Sequence, residues 1–417
     1  MVCATGNRSS AVARLAVHLG FAIFLLTSIA AQGQTLTVLY SFSNGDIGTN
    51  PASGLIMDQA GRLYGTAQYG GARGYGTVYR ASRAGSGWTV VPLYGFQGGT
   101  DGARPVADVT FGPDGTLYGT TPAGGLGENG GYGTVFNLRP PPSACKAALC
   151  PWTETVLYRF TGGSDGGFGA GSPSYADALV FDQAGNIYGT TPNDGAYGYG
   201  VVFKLTQSGG SWTESVLWNF TGGNDGADPL SGVIFDSAGN LYGTTAYGGA
   251  NGQGVVYELS PSESGWTQST LYSFGSEDSP YPYGGVTMDA QGNLYGTTGG
   301  SEGHGEAYEL SPADGNWIVS RRQVFSAREG AYDTPALDAE GNLYGTITPD
   351  GNGDGEVFKL TPTGSRWTYT NLWNFNGENG NGFVPVGSVI FDANGNLYGT
   401  TYGGGEHGDG IVWEITP

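Results

Sequence analysis

From Gln34 onward, short apolar runs of four to nine residues alternate with clusters of Gly, Asn, Asp, Ser and Pro, and no stretch holds a helical period. One copy shows the pattern clearly. Ser231-Gly-Val-Ile-Phe-Asp236 leads through Ser237-Ala-Gly-Asn240 into Leu241-Tyr-Gly-Thr-Thr245. A glycine-rich loop then precedes Gly254-Val-Val-Tyr-Glu-Leu259, and a second turn opens Trp266-Thr-Gln-Ser-Thr-Leu-Tyr-Ser-Phe274. These four runs predict four strands, A to D. The Leu-Tyr-Gly-Thr block, once with Ile, recurs seven times, with tyrosines at 64, 118, 188, 242, 295, 344 and 398. The spacing is 49 to 54 residues, except for one of 70 that holds Cys145 and a glycine-rich insertion around Gly166 to Ser174.

Four short strands repeated seven times at this period predict an all-β fold, a seven-bladed β-propeller of four-stranded antiparallel blades. A solenoid coil is usually shorter, and a pair of sandwiches would not repeat one unit. The ends fit the same frame. Gln34-Thr-Leu-Thr-Val-Leu-Tyr-Ser-Phe42 matches strand D, whereas Gly410-Ile-Val-Trp-Glu-Ile415 matches strand C and has no D strand after it. The N-terminal strand is therefore expected to pair into the last blade and close the ring, leaving no sheet edge at the seam.

Residues 1–31 have the pattern of a secretory signal, with Arg8 and Arg14 ahead of the apolar run Leu15 to Ala31 and small residues at its end. Residues 32–417 then form a single propeller domain, expected to be secreted, extracellular or periplasmic. No transmembrane segment would remain once the signal is removed; retention as an N-terminal anchor is the alternative. Removal takes the formal charge from −20 to about −22. Such a polyanion excludes nucleic acid as a partner and leaves extracellular polysaccharide or a surface protein, with the chain itself a monomer. Cys145 and Cys150 would be the mature chain's only cysteines, and in an oxidising compartment they are expected to form a local disulfide.

The motif D-x-x-G-N-L-Y-G-T-T, then G-x-V-Y/F-x-L, then W-T-x-x-x-L-Y/W-x-F resembles the GloVer-type tandem repeat over residues 36–417. That resemblance implies an exported bacterial protein, often carried on varied C-terminal sorting anchors. No sorting tail is expected after Pro417. The resemblance implies location and architecture and assigns no activity.

Antiparallel order puts the B–C and D–A loops on one face and the A–B and C–D loops on the other. The A–B turns carry Asp58, Asp182, Asp236, Asp289, Asp338 and Asp392, with Asp114 replacing the acid in the second repeat, and are expected to be satisfied within the turn. The tryptophans at 88, 152, 212, 266, 317 and 367 are expected between blades, and in the sixth repeat Arg322-Gln-Val-Phe325 departs from Leu-Tyr-x-Phe. The D–A loops carry a second acidic series that includes Asp101, Asp165 and Asp225 in Gly-Gly-x-Asp-Gly. The B–C loops beside them hold Tyr69, Tyr197, Tyr247 and Tyr402. Tyrosine faces stack on sugar rings and short polar groups bond hydroxyls, so these seven residues are the candidate ligand-binding set, against the reading of plain glycine-rich turns.

No catalytic residue is singled out. His304 and His407 lie in separate repeats, and no nucleophile elbow, Walker or dinucleotide fingerprint is present. No cofactor or metal site is expected. Calcium stays open because it takes carboxylate and carbonyl oxygens, although no loop has an Asp-x-Asp-x-Asp-Gly ladder. Three functions remain: a binding or scaffold module for extracellular glycan, a polysaccharide-cleaving hydrolase or lyase using paired carboxylates, and a structural surface protein.

Overall fold

The computed structural model describes residue 1 and residues 34–43, 45–127, 130–142, 152–168, 178–275, 278–300, 304–325, 329–349, 354–378 and 380–416. The signal segment and the Cys145–Cys150 pair lie outside them. Within the compact unit Gln34–Pro417, seven antiparallel sheets stand in a ring, each ordered A-B-C-D. Blade 1 is Ile56–Met57, Leu63–Ala67, Thr77–Ala84 and Gly87–Gly95, and blade 4 is Ile234–Phe235, Leu241–Thr245, Val255–Ser262 and Gly265–Ser273. Blade 6 gains a short extra strand, Glu329–Gly330, paired with Leu343–Pro349. Blade 7 takes its D strand from the N-terminus. Thr35–Ser41 pairs antiparallel with Ile411–Thr416, from Thr35 opposite Thr416 to Ser41 opposite Ile411, so the expected closure is present.

Seven buried clusters hold the ring, one between each pair of neighbouring blades. The Leu-Tyr-Gly-Thr block supplies each of them, one residue per task. Its leucine or isoleucine is buried in the core. Its tyrosine ring reaches toward the next blade, where Tyr188 meets Phe235 and Trp266, and Tyr398 meets Trp88. The tyrosine hydroxyl donates to the A–B turn acid in all seven blades, Asp114 included. The glycine lies opposite an aromatic of strand C, and a Cβ at Gly65 would sit 2.6 Å from the Tyr79 hydroxyl oxygen. Any side chain there would displace a buried ring.

The threonine fastens one blade to the next. Thr190, Thr244, Thr297 and Thr400 donate to the carbonyls of Ser231, Gly284, Asp333 and Ser53, the residues that lead into the following inner strand. A buried carbonyl left without a donor costs about 1–3 kcal/mol, so the threonine fixes blade spacing as well as filling space. The phenylalanine after strand D completes each seam. It packs on the strand-C aromatic of the next blade in seven pairs, from Phe42–Tyr79 to Phe375–Trp413, with ring centroids 5.1–5.7 Å apart. The departure at Arg322 falls in the D strand of blade 5, Asn316–Val324, rather than in the sixth repeat, and leaves this intact, because Phe325 still meets Phe358 at 5.1 Å.

Candidate functional site

Each D–A connection crosses the ring from the outermost strand of one blade to the innermost strand of the next. It runs beside the B–C loop, as the bridges Thr49–Tyr69, Ala103–Ala123 and Ala227–Tyr247 show. The two acidic and tyrosine-bearing loop sets therefore share one face, and their inner ends meet at the axis. There the same repeat position is Gly54, Asp108, Ala178, Gly232, Gly285, Thr334 and Ser388. These small side chains let the inner strands converge around a pocket of about 200 Å³. Asp108 is the single acid in this ring, and it accepts a 2.6 Å hydrogen bond from the Gly54 amide.

Five D–A crossings carry a non-glycine residue in the left-handed region directly before a proline: Asn50, Arg104, Asp228, Tyr281 and Val384, with φ between 54° and 67°. Such a conformation costs on the order of 1–3 kcal/mol and persists only where its surroundings enforce it. Here the B–C loop does so. The amides of Asn50, Arg104, Asp228 and Tyr281 donate to the carbonyls of Asp409, Tyr75, Tyr199 and Gln253 at 2.8–3.1 Å. The proline that follows is seated on a glycine, and a Cβ at Gly76 or Gly254 would lie 2.6 Å from Pro105 or Pro282. A fixed backbone thus presents one different side chain per blade on the same face. Sequence reasoning passed over these residues, because a residue before proline is expected in extended geometry.

The structure groups the candidate tyrosines unevenly. Tyr69 and Tyr402, from blades 1 and 7, come together, and burial with Tyr69 beside it raises the Tyr402 pKa. The Arg104 guanidinium lies 5.7 Å from the Tyr69 ring, and Asn50 donates its side-chain amide to the Tyr402 carbonyl. Tyr197 stands apart, 61% exposed at the tip of its loop. Tyr247 joins three tyrosines that the sequence did not single out. Centroids run from Tyr247 to Tyr281 at 5.3 Å, Tyr281 to Tyr283 at 6.1 Å and Tyr283 to Tyr332 at 5.5 Å. Tyr283 and Tyr332 occupy one repeat position in adjacent blades, two residues before the axial ring, where other blades carry Ala52, Val106, Leu230 and Val386. Gly299 makes room for them, since a Cβ there would fall 2.7 Å from both rings. At that position the other blades have Gln68, Pro122, Pro192, Ala246, Thr348 and Tyr402. The result is a half-buried aromatic wall along one side of the axial mouth.

The three D–A acids fold back on their own loops. Asp101 accepts from the Tyr94 hydroxyl and the Gln97 amide, Asp165 from Tyr158 and Thr161, and Asp225 from the Trp218 indole and Thr221. Each holds the strand-D aromatic and the loop in register. Two of the three have an acidic outer neighbour as well. Burial, and then Asp101 beside it, pushes Glu154 up to about 8; burial, and then Asp165, pushes Glu214 up to about 7. In the next blade the same position is Gln268, which donates to the Asp225 carbonyl instead. Asp101 and Glu154 are within hydrogen-bonding reach, closer than the roughly 5 Å or more that separates the carboxylates of a glycosidase. Another acid is enclosed in blade 5. Glu306 is 1% exposed, and burial pushes it up to about 7 despite Arg322 at 3.4 Å, because that guanidinium is closer to Asp278. Among the described residues, no three His, Cys, Asp or Glu side chains converge to hold a metal ion, and no helix is long and apolar enough to cross a membrane.

Residues 23–176 and 153–337 match the Gloeobacter/Verrucomicrobia repeat, and the chain belongs to that family. No curated protein matches it. Similar solved structures include an oxidoreductase (glucose dehydrogenase) from Thermus thermophilus, 15% identical over 92% of this chain and 100% of that one, with a TM-score of 0.46. A Trichoderma reesei carbohydrate-active enzyme of family AA12 is 14% identical over 93% of this chain and 97% of its own, with a TM-score of 0.41. Both likenesses are too distant to bear on activity.

Proposed function

We propose that this Gloeobacter/Verrucomicrobia repeat protein is an exported binding module whose D–A and B–C loop face receives an extracellular glycan. The aromatic wall of Tyr247, Tyr281, Tyr283 and Tyr332 carries the reading. Four phenol rings in a row at the mouth of a rigid axial pocket suit the apolar faces of successive sugar rings, and their hydroxyls suit sugar hydroxyls. Tyr69 and Tyr402 offer a second contact across the mouth, with Tyr197 farther out. Asp101, Asp165 and Asp225 shape the loops and keep acceptor capacity for sugar hydroxyls. A calcium ion would sit between one of these carboxylates and the glycan hydroxyls.

A glycan array probed with the protein, with calcium and with a chelator, tests this. Binding to a polysaccharide class should weaken roughly tenfold in Tyr283→Ala and in Tyr332→Ala, the scale of one lost stacking contact. Absence of binding to any glycan under both conditions removes the glycan reading. Appearance of new reducing or unsaturated ends replaces it with the hydrolase or lyase reading.

A further inference from the structure

The opposite face, built from A–B and C–D loops, carries the same side-chain arrangement at every blade seam. Each seam places the Leu-Tyr-Gly-Thr tyrosine beside its A–B turn acid. At six of the seven seams the chain supplies a cation beside that tyrosine. These are Arg62 and Arg80 at Tyr64, Arg139 at Tyr118, Lys204 at Tyr188, Arg321 at Tyr295, Lys359 at Tyr344 and Arg83 at Tyr398. Their geometry shows what the seam accepts. The Lys204 ammonium lies 5.2 Å from the Tyr188 ring and 3.8 Å from Asp182, and the Lys359 ammonium lies 5.3 Å from the Tyr344 ring. Arg83 lies 4.9 Å from the Trp88 ring and 3.2 Å from Glu414.

The groove between blades 4 and 5 has no Lys or Arg beside its tyrosine among the described residues. Glu258 lies directly across from Tyr242, where Lys204 and Lys359 lie across from theirs. The two other blades with Glu at this position bring an arginine to it, Arg321 to Glu309 and Arg83 to Glu414. In the blade 4–5 groove the residues equivalent to those arginines are Ser269 and Pro312. What remains is an open groove of about 680 Å³ lined by Tyr242, Trp317, Pro312, Asp236 and Asp289, with Glu258 opposite Tyr242 on the neighbouring strand. Asp236 accepts the same four hydrogen bonds as Asp182, which takes Lys204 in addition, so its carboxylate has room for a further cation.

We infer that this groove binds a lysine or arginine side chain of a partner polypeptide. An aromatic face and several carboxylates around an open space suit an alkylammonium or guanidinium group. The equivalent positions at the other seams are held by those two side chains, which favours a polypeptide over an amine-bearing sugar. The site is on the face opposite the tyrosine wall and does not depend on glycan binding there.

The test uses the full chain labelled with 5-fluorotryptophan, the Trp317 resonance being identified in Trp317→Phe. Titration with N-acetyl-lysine methylamide should shift the Trp317 resonance and leave the other tryptophans in place. The norleucine analogue should produce no shift, and high salt should weaken the lysine response. Glu258→Lys supplies the cation internally, as blades 3 and 6 do, and should abolish the response while the other fluorine resonances stay as in the parent. The inference is overturned if Trp317 does not respond to the lysine probe, if norleucine shifts it equally, or if Glu258→Lys still responds. It is overturned in its polypeptide form if glucosamine oligomers shift Trp317 and the lysine and arginine probes do not.

Discussion

The ring depends on a seam between the two ends of the chain, and one substitution measures what that seam contributes. Phe42 is fully buried, packs on Tyr79 at 5.1 Å, and belongs to the cluster that joins blade 7 to blade 1. Phe220 makes the equivalent contact with Tyr257 at 5.2 Å between blades 3 and 4, where the chain is continuous. Truncation of a buried Phe to Ala costs about 3–5 kcal/mol through lost transfer energy and the cavity left behind. For the 384 residues from Gln34 to Pro417, an unfolding entropy of about 2.1 cal/mol/K per residue gives roughly 0.8 kcal/mol/K, so ~4 kcal/mol lowers Tm by about 5 °C. Calorimetry or guanidinium unfolding of Phe42→Ala beside Phe220→Ala reads this directly. A closed ring makes the two losses equal within about 1 kcal/mol. If Phe42→Ala melts like the parent while Phe220→Ala falls by several degrees, the N-terminal strand does not close the ring in solution.

Thr400→Val removes the donor to the buried Ser53 carbonyl across the same seam and should destabilise by about 1–3 kcal/mol in chemical denaturation, with Thr244→Val similar at the blade 4–5 seam. Gly299→Ala should push apart Tyr283 and Tyr332 and weaken glycan binding without lowering Tm by more than a few degrees, as read by array and calorimetry on one preparation. Stability should fall as pH rises from about 4.5 to 8 and then level off. The buried Glu154, Glu214 and Glu306 are pushed up to about 8, 7 and 7, so over that window the folded chain holds protons that the unfolded chain has released. Glu306, almost fully enclosed, contributes up to ~3 kcal/mol of that fall at about 1.4 kcal/mol per pH unit, and Glu306→Gln should flatten the curve. Burial alone would raise Asp58, Asp182, Asp236, Asp289 and Asp392, but hydrogen bonds from their turns outweigh it and hold them low. Their share is present above about pH 4 and is lost as pH falls through their folded values, which places the maximum near pH 4.5.

The fold was legible because each residue of Leu-Tyr-Gly-Thr makes a contact that recurs with the period of the chain, and periodicity is visible in sequence even where the contact is not. The A–B turn acids were legible for the same reason, down to Asp114, which moved within its turn and kept the tyrosine hydroxyl. The candidate site was only partly legible. Tyr69, Tyr247 and Tyr402 stood out in glycine-rich loops, but the chain separates Tyr402 from Tyr69 by nearly its full length, and only closure of the ring joins them. Tyr283 and Tyr332 repeat in two blades, too few to register as a motif, and Tyr281 occupies a backbone conformation that its proline argues against.

Sevenfold repetition also separates framework from function by a physical criterion. A residue that recurs in every blade is bound to the geometry common to all blades, as the Thr-to-carbonyl and Phe-to-aromatic contacts are, and changing it costs stability wherever it stands. A departure confined to one or two blades is free of that demand and must be balanced locally or by something outside the chain. Arg322 and Glu306 are a balanced departure: a basic residue where other blades have leucine meets an acid that recurs only as Glu356 of blade 6, the other five blades having threonine, valine or isoleucine, and the adjacent Phe325 contact is undisturbed. Gly299 is balanced by the two rings that fill its space. Glu258 accepts a hydrogen bond from the Ser260 hydroxyl, but among the described residues it meets no cation. Its two counterparts each meet an arginine, whereas the positions equivalent to those arginines are here Ser269 and Pro312, so its groove is where an added positive charge should change the molecule most.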